Sequence, residues 1–474
     1  MEKYLLVFCL PLFVAVSSYG QSIQYSKATF HIDNPAEAQL VSNIGGNHHV
    51  VTFTYTKKPL IHVFDDHLRL VESKEMDFTI RKDCDVRILS FGDHYFVNMH
   101  IVKPSVYEIW KVDKNGNSSR VSDRFRTVTD SFDKHHFPDV QLLNIEGDLY
   151  ALAQTYYDTV KSIRCLVVKL DSNFVPLQEF EALYPFDRET DFLQQLTLTR
   201  DALFILKSTR VDTGNSLSIL KVNLATGDVI TTSFDTRFQS NTNPGFAISG
   251  KDSSLLVYST LTQTDVNRRL QRSVFISRLD RELKECTPVS LLKHQFGQNT
   301  ATNFLCIEGH PSLWLNLNSS RRFRGVSYHP ASSMNGTGAV SSPWLSNNYI
   351  DYVNYTAALG VRFTIVDKDF KPRSDSMVAN DKKLVEVQSS PFGRFSINNK
   401  NYLVLIQNFT AKRKGLMIVG SDINSQLSVT PLPVYDRYDF MLSQLQSFGN
   451  FFIVPYSYKS EMGLMRVAVK DNYY

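Results

Sequence analysis

The chain has 474 residues, of which 43% are hydrophobic and 21% are charged, and its formal net charge is +4 at pH 7. A chain of this length would ordinarily contain about three domains, unless an internal repeat organises it into one. A net charge of +4 by itself favours neither nucleic acid nor a membrane surface, so we expect no nucleic-acid partner.

The first twenty residues have the pattern of a secretory signal peptide. An apolar run extends from Leu5 to Val16, and the small residues Ser18 and Gly20 precede the expected cleavage before Gln21. The run is too short to span a bilayer, and no later segment reaches about 18 uninterrupted apolar residues. We therefore expect residues 1–20 to be removed and residues 21–474 to form a soluble, secreted, extracellular protein without a transmembrane segment.

Export also raises the question of disulfides and glycans. Four cysteines follow the signal segment, and three pairings are possible if all are bridged: Cys84, Cys165, Cys286 and Cys306. Four buried thiols are the alternative, because a domain of this size needs no disulfide framework. Five glycosylation sequons, a number that chance gives in so Asn-rich a chain, leave glycosylation open: Asn117, Asn318, Asn335, Asn354 and Asn408.

A repeated pattern runs through the whole mature chain. A β-rich apolar stretch ends in Asp or Asn and a short turn eight times, at Asp65, Asp113, Asp171, Asn223, Asp280, Asp367, Asp422 and Asp471. A second turn precedes each of these, followed by a short apolar strand, at Gly46, Gly92, Gly147, Arg200, Gly250, Glu308, Asn399 and Gly449. Gly, Asn and Asp in such positions are typical of hairpin turns.

Two turns per repeat predict four antiparallel strands, A to D, which is the content of one propeller blade. The eighth repeat lacks a strand D, whereas Ser22 to Ile32 precede the first strand A without a partner. The sequence therefore predicts an all-β fold, a single β-propeller of about eight four-stranded blades closed by N- and C-terminal strands. A seven-bladed ring with one degraded repeat, or two stacked sheets, are the alternatives. The turns lack the Trp-Asp dipeptide of WD repeats, the kelch double glycine and the sialidase Asp-box.

In an up-and-down blade, the B-to-C and D-to-A connections share one face of the ring, and long variable connections commonly carry recognition. The longest is a B-to-C loop insertion predicted at about 319–358, which is rich in arginine and aromatic residues. We expect it to bind a ligand, with disorder as the alternative reading. Its candidate ligand-binding residues are Arg321, Arg322, Arg324, Tyr328 and Trp344.

The other B-to-C loops share a basic bias, which is densest at Lys412, Arg413 and Lys414. Together the B-to-C loops carry 17 basic residues against five acidic ones. Such a surface attracts polyanions, so the sequence predicts an extracellular polyanionic glycan or a protein as partner. Simple solvation of these side chains is the alternative interpretation.

Carboxylates stand at the predicted entrance of several A strands, where they would surround the mouth of the central channel: Asp85, Asp139, Asp191 and Asp439. A ring of carboxylates can hold a cation or provide the acid and base for glycoside hydrolysis. An aspartate before a strand more commonly caps a turn.

No linear catalytic or cofactor motif is present, and we expect no cofactor. His135 and His136 are weak metal-ligand candidates, because neighbouring histidines point apart in extended chain. The leading hypothesis is a secreted recognition protein that presents a basic, aromatic-rich loop face. The alternative is a secreted carbohydrate-active hydrolase or lyase that uses the carboxylates at the channel mouth.

Overall fold

The computed structural model describes residues 22–27, 29–32, 38–54, 56–81, 84–101, 106–121, 139–212, 214–238, 240–248, 254–264, 270–294, 300–306, 312–322, 354–366, 372–379, 392–397, 400–410, 413–421, 427–435 and 437–469. Over these residues the chain forms eight antiparallel sheets, seven with four strands and one with six. The predicted all-β propeller with eight blades is confirmed.

The N-terminal segment forms two short strands, β1 Ile23–Tyr25 and β2 Phe30–His31. Blade one comprises β3 Ala38–Ile44, β4 Asn47–Thr52, β5 Leu60–Phe64 and β6 Leu70–Glu75. Blade two comprises β7 Cys84–Phe91, β8 His94–Ile101, β9 Val106–Asp113 and β10 Ser118–Arg120. Blade three comprises β11 Asp139–Ile145, β12 Asp148–Tyr157, β13 Ser162–Leu170 and β14 Pro176–Pro185. Blade four comprises β15 Asp191–Leu198, β16 Ala202–Val211, β17 Gly214–Asn223 and β18 Val229–Phe238.

Blade five comprises β19 Ser240–Ile248, β20 Leu255–Thr264, β21 Leu270–Leu279 and β22 Glu285–His294. Blade six comprises β23 Thr300–Cys306, β24 Ser312–Arg322, β25 Asn354–Val366 and β26 Pro372–Ala379. Blade seven comprises β27 Phe392–Ile397, β28 Lys400–Thr410, β29 Arg413–Ser421 and β30 Leu427–Leu432. Blade eight contains β31 Asp439–Phe440, a 3-10 turn Leu442–Gln444, β32 Gln446–Phe448, β33 Phe451–Tyr458 and β34 Glu461–Ala468.

Within each blade the strands pair in the order A, B, C, D, and the A strands of neighbouring blades lie against one another. Such contacts join β3 to β7, β7 to β11, β15 to β19 and β19 to β23. The A strands therefore form the inner wall of the ring, as the order of hairpins predicts.

Blade eight is built from both ends of the chain. Ile23 pairs with Val467 and Tyr25 with Met465, and further along Phe30 pairs with Met462. The N-terminal strands β1 and β2 thus provide the strand D that the eighth repeat lacks. This arrangement covers an edge of β34 that would otherwise be exposed to solvent. The predicted closure by N- and C-terminal strands is confirmed.

The cores lie between blades, because both faces of a blade are apolar. One cluster joins blades eight and one, and it includes Phe30, Ile32, Phe64, Ile453 and Leu464. Further clusters join blades one and two, two and three, three and four, four and five, and seven and eight. Each fully buried Leu, Ile or Phe stabilises the fold by about 1.5–3 kcal/mol. A blade therefore depends on its neighbours for most of its stability.

The aspartate that marks each repeat caps the turn between strands C and D. In four described turns its Oδ1 accepts the backbone N–H groups of the residues two and four positions later, at 2.7–2.9 Å: Asp65, Asp113, Asp171 and Asp280. The residue three positions later has a positive φ, and Leu68, Phe174 and Leu283 adopt it although they carry side chains. Those three side chains are buried, which offsets the cost of the left-handed conformation.

Amide side chains hold neighbouring A strands together. Gln195 of blade four accepts from Phe246 N and donates to Phe246 O of blade five, both at 2.9 Å. Gln444 of blade eight accepts from Leu40 N and donates to Ala38 O of blade one, both at 2.8 Å. A strands are sheet edges, so these amides supply partners that no neighbouring strand provides.

The cysteines do not form the two-disulfide arrangement that the sequence allowed. Cys84 and Cys165 are buried and unbridged, and every pairing of all four cysteines needs both. Burial raises the pKa of the Cys165 thiol to about 12. Cys165 is therefore a packed, unreactive thiol.

Blade one contains three buried histidines. His48 and His49 are 0% exposed and point to opposite sides, His48 towards Phe448 and Phe451 of blade eight and His49 towards Tyr95 of blade two. Their ring nitrogens have no hydrogen-bond partner among the described residues. Burial lowers the pKa of His48, His49 and His62 to about 4, although Asp66, 3.6 Å from His48, acts in the opposite direction.

Deletion of residues 21–33 should destabilise the whole ring. The deletion exposes the edge of β34 and removes Phe30 and Ile32 from the core between blades eight and one. We expect one cooperative transition several degrees below that of the intact mature chain, measured by thermal unfolding. An unchanged melting temperature would contradict closure by these strands.

The buried histidines predict acid sensitivity. The pKa of each buried histidine is lower in the folded state than its unfolded value of about 6.5. Above pH 6.5 these histidines are neutral in both states and do not reduce stability. As the pH falls from 6.5 towards 4, protonation favours the unfolded chain and the free energy of unfolding decreases. Each should contribute about 1.4 kcal/mol per pH unit to the slope in this window. When the free energy of unfolding is measured with urea from pH 7.5 to 4, its dependence on pH should be less steep for His49→Phe than for wild type. The exposed His67 provides the control, and His67→Leu should follow the wild-type curve.

Candidate functional site

The B-to-C and D-to-A connections lie on the same face of the ring. We call this surface the loop face, and it is represented by residues 158–161 and 186–190 of blades three and four and residues 459–460 of blade eight. The turns with the repeat aspartates lie on the opposite face. The residues of the loop face are therefore not constrained by the aspartate-capped turns that every repeat needs.

Connection 186–190 is held firmly between blades three and four. Asp187 Oδ1 accepts from Glu189 N at 3.0 Å, and Phe186 N donates to Lys161 O at 2.9 Å. On the other side, Arg210 N donates to Thr190 O at 2.7 Å. These bonds fix the backbone of connection 186–190, from which its side chains extend.

Two basic side chains at or next to connection 158–161 are paired with carboxylates. Lys161 Nζ lies 2.6 Å from Asp187 Oδ2, and this contact lowers the pKa of Asp187. Arg164 makes a two-pronged contact with Glu181, at 2.6 and 2.7 Å, which lowers the pKa of that carboxyl. The basic surplus of the B-to-C loops is thus partly neutralised by residues outside those loops.

Arg188 and Arg210 differ from these cations. Both are exposed, and neither has a carboxylate partner within 4.0 Å among the described residues. The Arg188 guanidinium lies over the Tyr156 ring at 4.6 Å, and that of Arg210 lies 6.0 Å from the Phe192 ring centre. Arg188 lies in connection 186–190 and Arg210 near the end of β16, where its backbone N bonds to Thr190 O of that connection. They form what we call the arginine pair.

A tyrosine cluster occupies the loop face where blades seven and eight meet. Tyr438 stacks on Tyr456 with ring centres 4.3 Å apart, and Tyr25 lies 5.0 Å from Tyr435. Tyr435 is 62% exposed. The cluster was missed by sequence reasoning, although two tyrosines three positions apart in a D-to-A connection were a visible signal. Tyr458, with Lys459 Nζ 5.3 Å from its ring centre, extends the cluster.

Asp191, one of the four candidate catalytic carboxylates, is buried and fully engaged. Its Oδ2 accepts from Lys207 Nζ at 2.7 Å and from Asp187 N at 3.0 Å, and its Oδ1 accepts from Thr209 Oγ1. This arrangement joins the start of β15 to β16 and closes the turn from Asp187. The geometry is that of a structural ion pair.

The other three candidates also begin A strands. Asp85 is exposed and lies 2.9 Å from Arg87. Asp139 pairs with Gln154 through the backbone of β11, and its side chain lies outside the described residues. Asp439 is exposed at the start of β31. Where their side chains are described, Asp85 and Asp191 pair with cations and not with each other.

The long B-to-C insertion begins later than predicted. Strands β24 and β25 continue their ladder to Arg321, opposite Tyr355, and Arg322, opposite Asn354, so these two arginines are in a strand. Arg413 and Lys414 similarly begin β29. Arg324, Tyr328, Trp344, Lys412, His135 and His136 lie outside the described residues. Ligand binding by these side chains stays a prediction.

The described part of the chain lacks two features that would bear on function. It contains no group of three or more His, Cys, Asp or Glu side chains placed to hold a metal ion. Nor does it contain a helix with the length and apolar character needed to cross a membrane.

No family model and no curated protein matches this chain. Among solved structures, it is similar to a mutant of the Synechocystis apocarotenoid oxygenase, with 8% identity, coverage of 88% of this chain and 94% of that one, and a TM-score of 0.38. It is also similar to the WD40 domain of SCAP from fission yeast, with 8% identity, coverage of 95% and 94%, and a TM-score of 0.38. A putative exo-β-1,3-galactanase from Bifidobacterium bifidum shows 10% identity, coverage of 57% and 97%, and a TM-score of 0.26. These neighbours assign neither a family nor an activity.

Replacement of Asp191 separates a structural role from a catalytic one. Asp191→Asn leaves Lys207, whose side chain is only 12% exposed, without its counter-ion, which should cost about 3–5 kcal/mol of unfolding free energy. The exposed Asp85 is the matched control, and Asp85→Asn should cost no more than about 1 kcal/mol. Urea unfolding measures both. A catalytic Asp191 would instead give a variant of nearly normal stability with no turnover.

Proposed function

We propose that this chain is a secreted recognition protein whose propeller presents the loop face to an acidic glycan. The observation that carries the proposal is the arginine pair, Arg188 and Arg210. The signal-peptide pattern of residues 1–20 supports an extracellular location. An acidic protein is the other partner that the same chemistry accommodates.

The arginine pair is suited to anionic groups. A guanidinium presents five N–H donors in a planar fork that matches carboxylate and sulfate oxygens. The Tyr156 ring under the Arg188 guanidinium restricts that side chain, and the Phe192 ring lies at the 6.0 Å limit of a cation–π contact with Arg210, while both arginines stay exposed. Because no described carboxylate occupies those edges, an anionic ligand needs to displace no internal partner.

The fixed positions of the two arginines should contribute more to ligand binding here than the local net charge does. Glu189 and Asp212 are also exposed in the adjoining connections, so the surroundings of the arginine pair are not strongly basic. We therefore expect recognition of discrete acidic groups at fixed positions.

The aromatic side chains of the loop face suit a saccharide. Phe192 is 45% exposed beside Arg210, and Tyr435 is 62% exposed in the tyrosine cluster. Aromatic rings offer a flat apolar surface together with, for tyrosine, a polar tip. Phe192 can cover the apolar face of a sugar ring whose acidic group reaches the arginine pair. The tyrosine cluster lies four blades away and would contact a different part of the ligand.

The hydrolase alternative has less support from the described residues. Asp191 uses both carboxylate oxygens within the fold, and Asp85 is paired with Arg87. Paired carboxylates flanking a scissile bond are what glycoside hydrolysis requires. We therefore do not propose catalysis.

Retention on immobilised heparin tests the proposal. Arg188→Gln together with Arg210→Gln should weaken binding about tenfold and make the dependence of log affinity on log salt shallower by about two. The fold should be little changed, because both side chains are exposed. Tyr156→Leu keeps the charge but removes the stacking surface of Arg188, and should weaken binding by a smaller factor.

The matched control removes two arginines from the opposite face. Arg69→Gln together with Arg281→Gln changes the net charge equally and should elute with wild type, since these arginines pair with Asp65 and Asp201 in turns. Equal elution of the two double variants would contradict a site at the arginine pair. Retention of wild type by an immobilised acidic peptide, but not by heparin, would assign the site to a protein partner.

A further inference from the structure

A cleft of about 310 Å³ opens where the inner strands of blades eight, one and two meet. Gln39 and Phe53 of blade one, Val86 of blade two, and Gln444 and Gln446 of blade eight contribute to its walls. This volume is at the lower end of the range for small-molecule sites, which is about 300–1,000 Å³. The cleft is therefore large enough for a small ligand.

The walls of the cleft are tied to one another. Gln444 exchanges two hydrogen bonds with the backbone of Ala38 and Leu40, both at 2.8 Å. Gln446 Nε2 donates to Leu40 O and Val41 O, both at 3.0 Å. The amides of blade eight thus fix the position of blade one, so the cleft exists before a ligand arrives.

Polar groups without an internal partner remain in this cleft. The Gln39 amide and Gln446 Oε1 have no hydrogen-bond partner among the described residues, and both residues are half-buried. An amide offers both donors and an acceptor, which matches hydroxyl groups that do both. The half-buried ring of Phe53 adds an apolar surface on another wall.

None of the described residues that line the cleft has an ionisable side chain. A charged ligand would have to leave water without a counter-ion at this position, which is costly. A purely apolar ligand would cover the amides without satisfying them. A neutral ligand with several hydroxyl groups therefore suits the cleft best.

We propose that this cleft binds a neutral saccharide unit, one pyranose ring, through the Gln39 and Gln446 amides and the Phe53 ring. The site is distinct from the arginine pair and does not depend on the proposed function of the loop face. It would give the protein a second binding specificity, for an uncharged ligand, at the inner strands of blades eight, one and two.

Saturation-transfer NMR on the full mature chain tests this site. The probes are glucose, galactose and N-acetylglucosamine at millimolar concentration, with glucuronate and glucosamine as anionic and cationic analogues of the same ring. We expect transfer to at least one neutral sugar and weaker transfer to its charged analogues. Absence of transfer to all three neutral sugars, or stronger binding of a charged analogue, would overturn the proposal.

Two variants on different walls connect binding to the cleft. Gln39→Leu and Phe53→Ala should each weaken binding of that sugar, Gln39→Leu by about tenfold. Gln178 is exposed on the outer strand of blade three, so Gln178→Leu is the control for loss of an amide and should bind like wild type. Thermal unfolding confirms that each variant is folded. If folded Gln39→Leu and Phe53→Ala both bind normally, the sugar binds elsewhere and the cleft is not its site.

The arginine-pair variant separates the two proposals. Arg188→Gln together with Arg210→Gln should bind the neutral sugar with unchanged affinity, whatever its behaviour on heparin. A parallel loss of both activities would refute an independent site.

Discussion

The fold depends on one constraint, which is that blades eight, one, two, three and four each have two apolar faces and must bury both. Ile453 and Leu464 of blade eight pack with Phe30 and Phe64, whereas Phe452 and Met465 on the other face pack towards blade seven. A stack of such sheets can bury all its faces only if the last sheet meets the first. The ring, the terminal strands in blade eight and the separation of two working faces all follow from this requirement.

Edge strands impose a second requirement, and it bears directly on function. The inner strand of each blade has backbone groups that no further strand can satisfy, and amides such as Gln195 and Gln444 satisfy some of them from the next blade. The same amides fix the distance between neighbouring blades near the axis. A polar, rigid channel wall is therefore a consequence of closing the ring. The cleft beside Gln39 lies in this wall, between the inner strands of neighbouring blades.

The features that were predictable from the sequence are those that each repeat needs locally. Asp65 and Asp171 could be recognised because a short side-chain acceptor must stand at that place in the turn, and strand closure could be inferred because the last repeat lacks a strand. The arginine pair could not be recognised. Arg188 is 32 positions from Tyr156, and only the register of β12 and the path of connection 186–190 bring them together. The pairing of Asp191 with Lys207 likewise depends on the register between β15 and β16, and a count of loop charges does not reveal it.

The closure of blade eight has a consequence for how the molecule comes to be folded. Leu464 N donates to Ser26 Oγ across 438 residues of chain, whereas the hairpins of the other blades join strands that are close in sequence. Long-range contacts form slowly because the chain entropy must be lost before any contact is gained. We expect the other blades to form first from hairpins close in sequence. The segments of β1 and β2 remain unpaired until the hairpin that contains β34 has formed. The slow step of folding is then the pairing of β1 and β2 with β34. Until that pairing forms, the edge of β34 is exposed and can pair with a strand of another chain.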